Sequence, residues 1–140
     1  ARLRVELDLP EVPAHAGISE PALRRAIVNV LQNAIQHAPP ESAIEIRLAA
    51  GREHPHQWRI EIGDRGPGIP PSMRESVFEM FVTTRPEGTG LGLFMARAAV
   101  AHCGGTILAL GRDGGGALIR LTVPKAAEPG STPGDNPKGT

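Results

Sequence analysis

The stretch "QWRIEIGDRGPGIP", residues 57–70, joins an alternating sequence to a run of backbone breakers. Trp58, Ile60 and Ile62 alternate with polar residues, which predicts a β-strand over 57–64. Asp64 ends that strand, and glycines and prolines follow it in a number that a simple turn does not need. The excess of glycine and proline indicates a loop that has a functional role in addition to turning the chain.

This loop is suited to bind a flat heterocyclic ring. A carboxylate at position 64, beside the apolar walls of Ile60 and Ile62, can accept a hydrogen bond from an exocyclic amine such as that of adenine. Gly66 and Gly68 let the backbone approach a ring because they carry no Cβ. An aspartate that merely initiates a turn is the alternative for this stretch taken alone.

Periodicity on either side of this stretch predicts the rest of the fold. Long helices are expected from Ser19 to before Pro39 and from about Leu91 to His102, with a shorter helical piece over 72–81. The predicted strands are 2–9, which should be half-buried, 43–51, 57–64, 106–113 and 117–124. Helices segregated to one face of these strands predict an α+β, two-layer sandwich with a mixed five-stranded sheet and about three helices.

The chain length fits a single domain, and its charged side chains balance to no net charge. The 140 residues carry 15 basic and 15 acidic side chains, so no net charge favours binding to nucleic acid or to an anionic membrane, although a local basic site remains open. The longest apolar stretch, 91–101, is interrupted by Arg97 and is too short to span a bilayer. Residues 125–140 lack apolar periodicity, which predicts a domain over 1–124 followed by a disordered tail or linker. The start without methionine suggests a fragment of a longer protein.

A polar stripe runs along the first long helix. Asn29, Asn33 and His37 are spaced i, i+4 and i+8, with Gln36 beside them. Asparagine gains nothing from helix propensity, whereas its carboxamide oxygen suits Mg²⁺, which keeps several waters and also binds substrate phosphates. A solvated polar face is the alternative for this helix taken alone.

The third informative stretch is "EGTGLGLFMARAAV", residues 87–100. Gly88, Gly90 and Gly92 alternate just before a helix, so backbone N–H groups and the helix N-terminus form an anion site suited to phosphates. No Lys-Ser/Thr pair follows, and the motif does not follow the first strand, which excludes a P-loop and a dinucleotide fingerprint. Together the three stretches supply metal, base and phosphate contacts for one nucleotide.

These stretches resemble the ATP-binding domain of sensor histidine kinases, in the superfamily that also holds gyrase, the Hsp90 chaperones and MutL-type repair ATPases. "NVLQNAIQHA" (29–38) resembles the asparagine box and "DRGPGIP" (64–70) the first glycine box. "VFEMF" (77–81) resembles the phenylalanine box, with Phe78 and Phe81, and "GTGLGL" (88–93) the second glycine box. The resemblance covers about residues 1–124 and implies the Bergerat fold.

The resemblance implies ATP and Mg²⁺ as cofactors and assigns the site residues. Asn33 would hold Mg²⁺, Asn29 would support the metal or the phosphates, and Asp64 would bind the adenine amine. The short lid "VTTRPE" (82–87) resembles that of kinases of the nitrogen- and redox-regulation type. Its Arg85 would meet the γ-phosphate, and a solvated charge on the lid is the alternative for this residue. The catalytic residues would be Asn29, Asn33 and Arg85. The nucleotide-binding residues would be Asn29, Asn33, Gln36, His37, Asp64, Gly66, Gly68, Ile69, Thr83, Thr84, Arg85, Gly88, Thr89, Gly90, Leu91, Gly92 and Leu93.

Two departures refine this assignment. Gln36 and His37 stand where many relatives have lysine or arginine, and the alternatives for His37 are a hydrogen bond to a phosphate or a place at the surface. Asn29 stands where the gyrase and MutL branches carry a glutamate that activates water, and asparagine cannot act as a general base. The resemblance therefore favours phosphoryl transfer over ATP hydrolysis.

The resemblance also implies partners. In this family the phosphoacceptor histidine lies on a preceding helical dimerisation domain, in an H-E/D-x-x-x-P context that none of the five histidines here has. The fragment should therefore bind ATP as a monomer, and the parent homodimer would pass the γ-phosphate to that upstream histidine and then to a response regulator. The domain would be cytoplasmic, whether or not the parent is anchored in the inner membrane. An anti-sigma-factor-type serine kinase and a nucleotide-binding module without phosphotransfer are the alternatives.

Overall fold

The computed structural model describes residues 2–11, 13–51, 53, 55–80, 82 and 90–126. In chain order these contain β1 (Arg4–Asp8), α1 (Glu20–His37), β2 (Ala43–Ala50), β3 (Gln57–Gly63), two 3₁₀ turns (Pro71–Met73 and Ser76–Phe78), α2 (Gly92–His102), β4 (Thr106–Gly111) and β5 (Ala117–Pro124). The sheet order is β1-β2-β3-β5-β4, with β1 parallel to β2 and the other neighbours antiparallel. The predicted α+β fold with a mixed five-stranded sheet is confirmed.

The hydrophobic core lies between the sheet and the pair formed by α1 and α2. The two helices pack against each other, and they reach the sheet at β3, β4 and β5. Phe78, from the second 3₁₀ turn, is 2% exposed and closes one side of this core. The other buried apolar residues include Ala26, Val30 and Ala34 of α1, Leu93, Ala96 and Val100 of α2, and Ile44, Ile60, Ile62, Ile119 and Leu121 of the sheet.

Both long helices begin and end on local signals. Ser19 is the N-cap of α1, and its hydroxyl oxygen accepts a hydrogen bond from the backbone N–H of Ala22 at 3.3 Å. Beyond α2, Gly104 has a φ of +83°, and the N–H of Gly105 donates to the carbonyl oxygen of Val100 at 2.8 Å. This is the glycine-dependent Schellman ending, which fixes where the chain turns into β4.

The expectation of a half-buried strand over 2–9 was wrong in its burial. β1 extends only from Arg4 to Asp8 and all its residues are exposed, with Val5 at 54% and Leu7 at 61%. The reason is position, because β1 is an edge strand and the two helices pack mainly on β3, β4 and β5, further along the sheet. Alternation shows which residues share a face of a strand but not whether a helix covers that face.

The expected short helix over 72–81 is replaced by two separate 3₁₀ turns. Side chains compete here for the backbone groups that an α-helix needs. The Ser76 hydroxyl donates to the carbonyl oxygen of Met73 at 3.2 Å, and Arg74 Nε donates to that of Ile69 at 3.1 Å. The short turns still carry Phe78 into the core.

The hairpin between β4 and β5 contains three consecutive glycines with positive φ, of +87°, +106° and +105° at Gly114, Gly115 and Gly116. Only Gly116 is also pressed against other backbone, because a Cβ there would overlap the carbonyl oxygen of Asp64. A Cβ on Gly115 would meet nothing within 4 Å. The two glycines therefore share a backbone conformation but differ in their surroundings.

This difference provides a test of the packing behind Asp64. Gly115→Ala is expected to lower the free energy of unfolding by about 1–3 kcal/mol, through backbone strain alone. Gly116→Ala carries the same strain plus the clash, so we expect a further loss of about 1–3 kcal/mol. Urea unfolding of the two variants measures the difference. Equal losses would show that the hairpin does not press on Asp64.

Candidate functional site

The three informative stretches meet at one cleft. It lies between α1, the loop after β3, the 3₁₀ turns and the start of α2, and its volume is about 260 Å³. Among the predicted site residues, the ones that line it are Asn29, Asn33, Gln36, His37, Asp64, Gly68, Ile69, Gly90, Gly92 and Leu93. Residues far apart in the sequence are thus brought around a single space.

Asp64 is a buried and fixed carboxylate at this cleft, with only 3% of its surface exposed. One carboxylate oxygen, Oδ1, accepts a hydrogen bond from the N–H of Gly66 at 2.8 Å, and the N–H of Asp64 donates to the carbonyl oxygen of Ala117 at 2.9 Å. Within the described residues no hydrogen bond engages Oδ2. A charged acceptor held in a region of low dielectric constant forms a strong hydrogen bond with a matching donor.

The two glycines after Asp64 occupy different surroundings. A Cβ on Gly66 would overlap the carbonyl oxygen of His37, so this glycine packs the loop directly against the end of α1. Gly68 lines the cleft with a φ of +82°, and a Cβ there would lie 3.3 Å from the carbonyl oxygen of Gly116. The loop is therefore wedged between α1 and the β4–β5 hairpin.

The polar stripe of α1 faces the cleft, which favours a binding role over a merely solvated face. No hydrogen bond from a described residue holds the carboxamide of Asn29 or of Asn33. His37 is oriented by its Nδ1, which lies 2.8 Å from the carbonyl oxygen of Asn33 and therefore carries the donating hydrogen. Gln32 also lines the cleft. Sequence reasoning missed it, although its position three residues after Asn29 was a usable signal.

The start of α2 adjoins this stripe. Leu91, the N-cap residue of α2, has no side-chain oxygen with which to cap the helix. The start of a helix presents backbone N–H groups that suit an anionic ligand. A Cβ on Gly92 would lie 3.8 Å from the carbonyl oxygen of Asn29. The first residue of α2 therefore lies beside Asn29, at a distance that leaves room for a Cβ.

Apolar residues complete the walls, and sequence reasoning missed most of them. Met73 and Val77 come from the 3₁₀ turns, and Ala117 comes from the start of β5. Ala117 had no local signal, because it lies more than fifty residues from Asp64 in the sequence and reaches the cleft only through strand pairing. The predicted residues Thr83, Thr84, Arg85, Gly88 and Thr89, and Phe81 of the phenylalanine box, lie outside the described residues.

No group of three or more His, Cys, Asp or Glu side chains is placed to hold a metal ion in the part of the chain that the structure describes. No helix among the described residues is both long and apolar enough to cross a membrane.

The sequence profile of the family described as histidine kinase-, DNA gyrase B- and HSP90-like ATPase matches residues 18–127. The chain belongs to this ATPase family. Within it, the sensor protein KdpD of Escherichia coli K12 is 34% identical over 129 residues, which cover 89% of this chain and 14% of KdpD. The nitrogen regulation protein NtrY of Azorhizobium caulinodans is 37% identical over 132 residues, covering 90% of this chain and 17% of NtrY.

The structural comparison agrees with the sequence comparison. The mycobacterial sensor histidine kinase MprB superposes with a TM-score of 0.79 and 31% identity, over 90% of this chain and 84% of the MprB chain. The resemblance to histidine kinases of this ATPase family is confirmed, and the chain is an ATP-binding catalytic domain of their type. It spans about one seventh of KdpD, 14% of its length.

Proposed function

We propose that the cleft binds ATP with Mg²⁺ and that the domain donates the γ-phosphate to a histidine on a separate, upstream dimerisation domain of its parent protein. The phosphate would then pass to a response regulator. The observation that carries this proposal is the meeting of Asp64, the asparagine stripe and the start of α2 at one cleft. These groups match the base, the metal and the phosphates of one nucleotide.

Asp64 is the proposed acceptor for the adenine amine, with Gly66, Gly68 and Ile69 shaping the base pocket. Its burial and its bond to Gly66 support this role, because a fixed carboxylate discriminates between a donor and an acceptor on the ring edge. Met73 supplies further apolar wall.

Asn33 is the proposed Mg²⁺ ligand, with Asn29 supporting the metal or the phosphates. The donor set fits Mg²⁺, because a single carboxamide oxygen leaves most positions to waters and phosphate oxygens, as this ion prefers. When bound, Mg²⁺ neutralises phosphate charge during transfer. Gln36 and His37, at the end of the same stripe, are the further residues that we propose beside the phosphates.

The phosphates are proposed to lie at the glycine-rich start of α2, in contact with the segment from Gly88 to Leu93. Thr83, Thr84, Arg85, Gly88 and Thr89 keep the roles that the sequence assigns them, with Arg85 at the γ-phosphate. An arginine there would stabilise the charge that the transferring phosphoryl group spreads over its oxygens.

Transfer is favoured over hydrolysis by the residues of α1 at the cleft. The described ones are Asn29, Gln32, Asn33, Gln36 and His37, without a carboxylate among them. The one carboxylate among the described lining residues is Asp64, which is bonded to the loop at the base end. A water near the γ-phosphate would therefore lack the carboxylate base that hydrolysis uses.

The proposed domain is residues 1–124, with 125–140 as a tail or linker. The first two residues after this boundary still pair with the domain, since the N–H of Lys125 donates to the carbonyl oxygen of His56 at 2.9 Å and the N–H of Ala126 to that of His15 at 2.8 Å. We further propose a monomeric fragment, a homodimeric parent, and a cytoplasmic location for this domain.

Mixing the domain with ATP–Mg²⁺ and the upstream domain of its parent should yield acid-labile phosphohistidine on the upstream domain only. The domain alone should bind ATP with a Kd in the range of about 1 µM to about 1 mM, which calorimetry measures. Acid-stable phosphoserine on a partner protein would instead favour a serine kinase. Binding without any transfer would leave a nucleotide-binding module.

A further inference from the structure

We propose that Glu45 and Arg112, which lie outside the cleft, are positioning residues that hold Asp64 in place to read the adenine amine. The inference rests on the proposed function, since it concerns how the same cleft distinguishes one base from another. Neither residue lines the cleft, and neither belongs to a glycine or asparagine box. Their contacts hold together the loop that follows β3 and the β4–β5 hairpin, which meet at Asp64.

The carboxylate of Glu45, on β2, accepts hydrogen bonds from two arginines, Arg112 and Arg65. Its Oε1 accepts a hydrogen bond from Arg112 Nε at 2.7 Å, and its Oε2 accepts from Arg112 Nη2 at 3.2 Å. The same Oε2 accepts from Arg65 Nη2 at 3.2 Å. Arg65 is the residue directly after Asp64, and Glu45 pairs in register with Gly63, the residue directly before it. Glu45 thus bonds through its side chain to the residue after Asp64 and pairs along the strand with the residue before it.

Arg112 connects this carboxylate to the β4–β5 hairpin. Its Nη1 donates to the carbonyl oxygens of Asp113 at 3.0 Å and Gly115 at 2.9 Å, which holds the turn closed. Its side chain also lies over Gly63, because a Cβ on that glycine would be 3.4 Å from Arg112 Cδ. With 17% of its side chain exposed, Arg112 is mostly withdrawn from water.

The hairpin in turn supports Asp64 through its backbone. Gly116 is pressed against the Asp64 carbonyl group, and the Ala117 carbonyl oxygen accepts the Asp64 N–H at 2.9 Å. Because Gly66 fixes Oδ1 at 2.8 Å, a shift of this backbone also moves the carboxylate. The contacts run from Glu45 through Arg112 and the hairpin to Asp64.

The charges of the pair support a fixed geometry. The hydrogen bond from Arg112 is the largest cause that lowers the pKa of Glu45, with a smaller contribution from Arg65. The same bond raises the pKa of Arg112. The bidentate pairing of guanidinium and carboxylate constrains orientation as well as distance, which a lysine cannot reproduce.

Selectivity for the base distinguishes residues that position Asp64 from residues that only stabilise the fold. Inosine triphosphate carries a carbonyl oxygen where adenine has its amine, so it cannot donate to Asp64. We expect Glu45→Gln to weaken ATP binding about 3- to 10-fold and inosine triphosphate binding less than about 2-fold. Calorimetry with each nucleotide and Mg²⁺ gives both constants. Arg112→Lys keeps the positive charge but loses the bidentate pairing with Glu45. It is also expected to weaken ATP binding more than inosine triphosphate binding.

Glu61→Gln is the matched control. Glu61 accepts a hydrogen bond from Arg120 Nε at 2.8 Å and also lies on a strand of the sheet, but it contacts neither the hairpin turn nor residue 65. It should leave the ratio of the two affinities unchanged, whatever it does to stability. In a double-mutant cycle, Glu45→Gln should add little to Asp64→Asn, since both act on one carboxylate.

Three outcomes are distinguishable. A selective loss of ATP affinity in Glu45→Gln and Arg112→Lys, absent in Glu61→Gln, supports the inference. An unchanged ratio of ATP to inosine triphosphate affinity in folded Glu45→Gln and Arg112→Lys overturns it and leaves the proposed function intact. Equal binding of the two nucleotides by the unmodified domain overturns the role of Asp64 itself, and the inference fails with it.

Discussion

Replacing Asn33 by alanine is expected to slow phosphoryl transfer to the upstream histidine about 100- to 1000-fold. The carboxamide of Asn33 is the proposed metal ligand on the stripe that faces the glycine-rich start of α2. Without it Mg²⁺ would be misplaced and phosphate charge would be poorly neutralised, while Asp64 would still hold the base. Binding of ADP should therefore weaken much less than transfer. Asn33→Asp should also fail in transfer, because a carboxylate there repels the phosphates even where it keeps the metal.

The measurement is the rate of phosphohistidine formation on the upstream domain, together with ADP and ATP affinities with and without Mg²⁺. Arg25→Ala is the control, since Arg25 is an exposed residue of the same helix that does not line the cleft. Circular dichroism checks the fold, which should be retained because replacing a polar residue outside the buried core costs within about 0.5 kcal/mol. If folded Asn33→Ala transferred phosphate at the rate of the unmodified domain, the asparagine stripe would have no metal-binding role.

Asp64→Asn is expected to weaken ATP binding by about 1.5–3 kcal/mol, or about 10- to 150-fold in Kd. The substitution keeps the size of the side chain and an oxygen for the N–H of Gly66, so the loop geometry is preserved. It removes the charge of the acceptor that we assign to the adenine amine. The effect should appear with ADP as well, because the base is common to both nucleotides.

Calorimetric titration of ATP and ADP into the Asp64→Asn protein measures this loss. Asp8→Asn is the matched control, since Asp8 lies at the exposed end of β1 and does not line the cleft. An ATP affinity equal to that of the unmodified domain would remove the assignment of Asp64.

Much of the fold was predictable because its signals are local. Alternation marked the five strands, and helical spacing with Ser19 and Gly104 marked both long helices to within one or two residues. Burial was less predictable. The exposure of β1 and the breaking of 72–81 into 3₁₀ turns depend on which elements cover a strand and which side chains compete for backbone groups.

The candidate site divides in the same way. The sequence by itself determined the chemical types: a carboxylate after β3, carboxamides at helical spacing, and glycines before α2, each recognisable because its motif is continuous in the chain. Only the tertiary structure decided that they share a cleft, that Ala117 and Gln32 line it, and that Gly66 packs against the end of α1. It alone also placed Glu45 and Arg112 together, 67 residues apart, around the neighbours of Asp64. The physical reason is that a motif records the chemistry of one segment, whereas strand pairing and helix packing set the distances between segments.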